Sequence, residues 1–319
     1  MPSSRQTEPT DTQRRGLGQF WHPRYWSVWM FWLWLKFTAS IPLSWALAIH
    51  ERVGALLYAV SARQRAIVRR NLQLCFPHLS DAELERLTKR HFAELGAAFA
   101  ECAVAWLTPD ERLRKRFDVL GLEHLNRALE RGKGVILYTG HFTGLEICGR
   151  PVKWVTPLFV AMFSHRSNAL LEEIQRRGRM RCAHEIAPSN RIRATLDALA
   201  RNAVIWYAPD QAHQGKNAAL IPFFGEPAMT NTATSKLARV SGAAVVPFSY
   251  GRVPGEARFR IEFHPPLEDF PSEDAIADTG RLVSRLEDFI RACPEQYLWA
   301  HKKFKGRPGL PDPYSRAAP

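Results

Sequence analysis

Gly134-Val135-Ile136-Leu137-Tyr138-Thr139-Gly140-His141-Phe142-Thr143-Gly144-Leu145-Glu146-Ile147-Cys148 is the stretch on which the fold of this chain turns. Gly134 to Tyr138 is a short apolar run of the length of a buried strand, Gly140 closes it, and Leu145 to Cys148 reads as the opening of a helix. The pattern predicts a strand, a tight corner carrying His141, and a helix with Glu146 in its first turn. Residues five apart on a regular helix lie about 140° apart around its axis. His141 therefore has to stand outside the helix to meet a first-turn glutamate.

The five-residue spacing alone is weak, because 11 histidines and 31 acidic residues in 319 positions give roughly one such match by chance. The chain holds three: His78/Glu83, His141/Glu146 and His264/Asp269. His78 lies in Phe76-Pro77-His78-Leu79-Ser80-Asp81, which reads as a turn and N-cap opening a polar helix. His264 runs into Pro265-Pro266 at a strand end. Only His141 sits at a strand-to-helix corner, where functional side chains gather.

Outward from that corner, strand and helix patterns alternate. Strands are predicted over 117–120, 134–138, 158–163, 204–208 and 244–249, with helices over 122–131, 168–177, 192–201 and 233–241. Residues 259–263 alternate as an edge strand, and 275–291 close as an amphipathic helix. Residues 81–107 read as one or two helices interrupted by Gly96. The alternation predicts an α/β fold with a mostly parallel, helix-covered sheet, whose ligands gather at the carboxyl ends of its strands. Two loop-borne groups are expected there: Arg176-Arg177-Gly178-Arg179-Met180-Arg181, suited to phosphate or carboxylate, and Tyr207-Ala208-Pro209-Asp210.

A net charge of +13 calls for an anionic partner, either nucleic acid or an acidic membrane and ligand. The aromatic distribution favours the membrane. Trp21, Trp26, Trp29, Trp32, Trp34 and Trp45 are six of the ten tryptophans, and they crowd a segment where an amphipathic ring would suit the headgroup boundary. Residues 25–49 are long enough to span a bilayer, although Lys36 and Pro42 interrupt them. They are expected to span once or to lie in the interface as a retained N-terminal hydrophobic anchor helix. Arginines following the anchor outnumber those before it, which puts the remaining chain on the cytoplasmic side. Five scattered cysteines without C-x-x-C suggest reduced thiols, and the absence of H-E-x-x-H, G-x-x-x-x-G-K-[ST] and G-x-G-x-x-G gives no reason for a metal, nucleotide or dinucleotide cofactor.

An imidazole at such a corner can take a proton from an attacking alcohol and return it to the leaving group. Glu146 is expected to accept the other ring N–H, as the acid of a triad does. With no serine or cysteine nucleophile beside the pair, the attacking oxygen would be the substrate's own. Cys148 reads as a small buried residue.

From Trp21-His22-Pro23-Arg24-Tyr25-Trp26 to Trp299-Ala300-His301-Lys302-Lys303-Phe304-Lys305, the chain resembles the late lipid A acyltransferases of Gram-negative bacteria. The matching pieces include Asn71-Leu72-Gln73-Leu74-Cys75-Phe76-Pro77, His141/Glu146, Gly178-Arg179-Met180-Arg181, Trp206-Tyr207-Ala208-Pro209-Asp210 and Pro294-Glu295-Gln296-Tyr297. The resemblance implies a fold of the glycerolipid acyltransferase type and transfer of a lauroyl- or myristoyl-type chain. The donor would be acyl carrier protein, a co-substrate in the absence of any cofactor, and the acceptor a hydroxyacyl chain of a Kdo2-lipid IVA type precursor.

By the same resemblance His141 and Glu146 form the catalytic dyad, while Arg179 and Asp210 are further essential positions. Arg166 supports catalysis or binding, although Ser167 stands where relatives carry proline. The implied partners are acyl carrier protein, an anionic lipid A precursor and the bacterial inner membrane, with the catalytic part on its cytoplasmic face and no nucleic acid. The chain then divides into a tail (1–20), an anchor (21–50), a helical membrane-proximal segment (51–110), the acyltransferase α/β domain (111–308) and a second tail (309–319). The alternative is acylation of a lysophospholipid or amino-acid lipid by the same chemistry. Glycerolipid relatives usually carry Asp where this chain has Glu146.

Overall fold

The computed structural model describes residues 17–163, 167–188 and 191–315. Among the described residues four α-helices precede the sheet, α1 (Trp26–Ser40), α2 (Leu43–Val60), α3 (Ala62–Cys75) and α4 (Asp81–Leu107), followed by the short α5 (Asp110–Leu113). The alternating part then runs β1 (Phe117–Leu120), α6 (Leu122–Glu130), β2 (Val135–Tyr138), α7 (Leu145–Val155), β3 (Phe159–Phe163), α8 (Ala169–Cys182), β4 (Glu185–Pro188), α9 (Ile192–Ala200) and β5 (Val204–Tyr207). The chain continues through β6 (Ala218–Phe223), β7 (Glu226–Asn231), α10 (Ala233–Ser241), β8 (Ala244–Arg252), β9 (Phe259–Phe263) and α11 (Ala275–Ala292).

Seven strands form one sheet in the order β1-β9-β8-β2-β5-β3-β4, and β6-β7 pair as a separate hairpin. Every pairing in the large sheet is parallel except β8 with β9. The expected mostly parallel, helix-covered sheet is therefore present. Val135, Ile136, Leu137 and Tyr138 are all buried, which explains why β2 reads as a continuous apolar run. Its flanking strands β5 and β8 run parallel to it, so their carboxyl ends share one edge with the His141 corner.

Several expectations need correction. Residues 259–263 are not an edge strand, since β9 lies between β1 and β8. Their alternation reflects one uncovered face: Phe259, Ile261 and Phe263 are buried, whereas Arg260 is exposed and Glu262 half-buried. The arginine run is not a loop, because α8 continues through Arg176, Arg177, Arg179 and Arg181 to Cys182. The N-terminal anchor does not form one spanning helix. Ile41-Pro42 ends α1 after 15 residues, about 22 Å of rise against a hydrocarbon core of about 30 Å. Among the described residues no helix is long and apolar enough to cross a membrane.

Other elements left little mark in the sequence. The hairpin pairs Pro222 with Pro227, and paired prolines argue against strands. β4 is four residues ending in proline, and among the described residues its one strand neighbour is β3. Gly96 interrupts nothing, for α4 is one helix of 27 residues. Its missing Cβ lets α4 cross α2 closely: a Cβ at Gly96 would strike the His50 carbonyl, and one at Gly54 the Phe92 carbonyl.

Candidate active site

The corner forms where the sequence predicts it. β2 ends at Tyr138, Gly144 caps α7, and Glu146 is the second residue of that helix. Tyr250, on the part of β8 that extends beyond β2, pins the turn: its hydroxyl donates to the Gly140 carbonyl (2.9 Å) and accepts from the Phe142 N–H (3.1 Å). A side chain at Gly140 would press on Leu286, Asp210 and Tyr297. The glycine is required by close packing.

The pairing around the histidine differs from the expected His141–Glu146 bond. The His141 ring donates from Nδ1 to Asp210 Oδ1 at 2.6 Å, and its backbone N–H donates to Oδ2 at 2.9 Å. Asp210 follows β5, so strand adjacency brings together residues 69 positions apart. Among the described residues Nε2 of His141 makes no hydrogen bond, and its side chain is 30% exposed. Burial disfavours the imidazolium, but the charge and hydrogen bond of Asp210 outweigh it, so His141 titrates above the ordinary histidine value while Arg179 partly opposes the rise. Burial likewise favours neutral Asp210, and the attraction of His141, its hydrogen bonds and Lys303 hold the carboxyl below its ordinary value.

Glu146 belongs to a second couple. Arg179 donates to its Oε1 from Nε (3.0 Å) and from an Nη (2.9 Å), and Trp106 donates its indole N–H to Oε2 at 3.0 Å. Arg179 also bonds the Met162 carbonyl at the end of β3 (2.7 Å). The neighbouring arginines point elsewhere, Arg176 and Arg177 both bonding Glu173. Gly178 earns its place in this arrangement because a Cβ there would run into the Trp106 ring. The structure thus gathers His141, Asp210, Glu146 and Arg179 at one sheet edge, and Arg166 lies outside the described residues.

The rival motifs are occupied otherwise. Glu83 closes a capping box with Ser80, and His264 bonds Ser249 while stacking on Phe289. Cys148 is buried, and burial pushes its thiol well above the usual cysteine value. Sequence reading missed Trp106, Tyr250 and Lys303, which support the site from α4, β8 and the C-terminal segment. Trp106 and Tyr250 carried no local signal; Lys303 lay in a matching segment that assigned it no role.

A strand-helix corner holding an imidazole against a buried carboxylate defines a candidate acid–base site at the carboxyl edge of a parallel sheet. Sequence comparison gives it a family. The profile of the bacterial lipid A biosynthesis acyltransferases matches residues 15–306, and the chain belongs to that family. It is 36% identical over 297 residues to the lipid A biosynthesis palmitoleoyltransferase of Escherichia coli (strain K12), covering 91% of this chain and 94% of the relative. The lauroyltransferase of the same organism is 33% identical with 92% and 96% covered, and its myristoyltransferase 29% identical with 93% of each covered. The protein is an acyltransferase of lipid A biosynthesis.

Proposed function

We propose that this enzyme transfers a lauroyl- or myristoyl-type chain from acyl carrier protein to a hydroxyacyl chain of a Kdo2-lipid IVA type precursor, with His141 as the base. The observation that carries this reading is the His141 ring itself: Nδ1 is committed to Asp210, leaving Nε2 as the basic nitrogen on a partly exposed ring. The acceptor hydroxyl loses its proton to Nε2 as its oxygen attacks the thioester carbonyl. The C–S bond then breaks, and the imidazolium returns the proton to the departing thiolate. No serine or cysteine side chain hydrogen-bonds the ring among the described residues, which favours direct transfer.

Arg179 uses three of its five N–H donors on Glu146 and Met162, so two remain for negative charge on the substrate. In this reading Glu146 holds Arg179 in place. A net charge of +13 suits both an acidic carrier protein and a phosphorylated acceptor.

Attachment to the inner membrane is part of this reading, and the exposed apolar residues of the first two helices support it. Trp26, Met30, Leu33, Trp34 and Phe37 on α1 recur at helical spacing, as do Trp45, Val53, Leu56 and Val60 on α2. Such stripes suit burial in the headgroup boundary. Incubating purified enzyme with mixed acyl carrier protein thioesters and the acceptor, followed by mass spectrometry, should yield one added C12 or C14 chain. Acylation only of a lysophospholipid or amino-acid lipid, or equal use of coenzyme A thioesters, would overturn the substrate assignment.

A further inference from the structure

Residues 294–304 form a strap beneath the corner. Leu298 N–H donates to the His141 carbonyl (2.9 Å), Thr143 N–H to the Gln296 carbonyl (2.8 Å), and Phe142 and Tyr297 form an antiparallel bridge. Asn71 fixes the far side of the strap through the carbonyls of Trp299 (2.7 Å) and His301 (2.8 Å). At its end Lys303, 3% exposed, donates from Nζ to the Asp210 carbonyl at 2.7 Å and lies 4.7 Å from the centre of the Phe223 ring. An ammonium group is costly to bury without compensation.

The compensation is mutual. Buried Asp210 needs a positive neighbour, and two arrangements supply one: an imidazolium at His141, or neutral His141 with Lys303 charged behind the aspartate. With no lysine, the carboxylate would hold the proton on His141 more tightly and leave less free base near neutral pH. We propose that Lys303 is a positioning residue whose buried charge balances Asp210, allowing His141 to stand neutral while Asp210 stays ionised. This inference rests on the reading of His141 as the base.

The surrounding groups leave Lys303 in that role. Arg179, from α8, opposes protonation of His141 and is itself paired with Glu146, whereas Lys303 acts on Asp210 directly. His301 on the strap is held below the ordinary histidine value by burial, with the charges of Lys305 and Lys303 adding to it. The Tyr138, Tyr207 and Tyr297 hydroxyls and the Cys75 thiol are all driven up by burial and are neutral near pH 7. Burial draws Lys303 down to about 8, Asp210 opposing the fall. The ammonium form therefore prevails at neutral pH.

The test uses full-length enzyme, with transfer rates from acid to alkaline pH and histidine side-chain NMR titration without substrate. Lys303→Met should raise the His141 titration and the acid limb of kcat/KM by about one unit or more, a loss of about tenfold near neutrality that recovers at alkaline pH. Lys303→Gln, which can keep the carbonyl bond without a charge, should behave likewise. Lys303→Arg should keep the wild-type titration. A folded Met or Gln variant with an unmoved His141 titration overturns the inference, as does an Arg variant that shifts it when neither neutral variant folds. If transfer survives His141→Ala, the base reading fails, whereas the substrate-free titration still decides the role of Lys303.

Discussion

Two carboxylates flank the same strand-to-helix corner and are anchored in different ways. Asp210 is buried at the end of β5 and accepts both the ring and backbone N–H groups of His141. Glu146 is partly exposed in the first turn of α7, and it accepts from Arg179 and Trp106. The first couple contains an imidazole, which can gain and lose a proton near neutral pH. The second contains a guanidinium, which stays charged, so it can position and stabilise charge without exchanging a proton. On the proposed reading, the difference gives the two acids separate tasks.

Removing the imidazole should do the most damage. We expect His141→Ala to lower kcat by about 10³-fold or more, within or near the usual general acid–base contribution, with circular dichroism unchanged. Rates near wild type would end the comparison. Asp210→Asn should cost about 10²-fold or more and move the acid limb of kcat/KM downward. The sign follows from its attraction: Asp210 raises the His141 titration against burial, so its neutral isostere leaves burial to lower it. An acid limb that rises would contradict the assigned couple.

The second couple should respond less. Glu146→Gln and Arg179→Ala are each expected to reduce kcat by about 10–100-fold, and the double variant should fall little further because the residues act as a unit. Fully multiplicative losses in the double variant would separate Glu146 from Arg179. The smallest effect belongs to Trp106→Phe, which keeps the ring over Gly178 and deletes one hydrogen bond to Glu146. About 1 kcal/mol, a few-fold in kcat, is the expected loss. An effect as large as that of Glu146→Gln would make Trp106 central to the couple.

The three His-x4-acid matches show how little spacing conveys by itself. Glu83 serves a helix cap, His264 stacks on Phe289, and even His141 bonds an acid other than Glu146. What was legible was the corner, because an apolar run, two glycines and a helix opening are local features. The arginine run misled for a related reason: Gly178 resembles a loop residue, yet it is a contact point for Trp106 inside α8. Residues 259–263 misled because alternation records an uncovered face, and that face belongs to an internal strand.

The sequence by itself determined the alternation of strands and helices, the corner that carries His141, and the family resemblance, since each depends on residues close together or on matching segments along the chain. The tertiary structure decided the partners. Asp210 reaches His141 because β5 lies beside β2, Glu146 meets Arg179 because α7 packs near α8, and Lys303 comes beneath Asp210 because the C-terminal strap pairs with the corner. Strand order and long-range packing carry no local periodicity, and they settle which acid faces the imidazole.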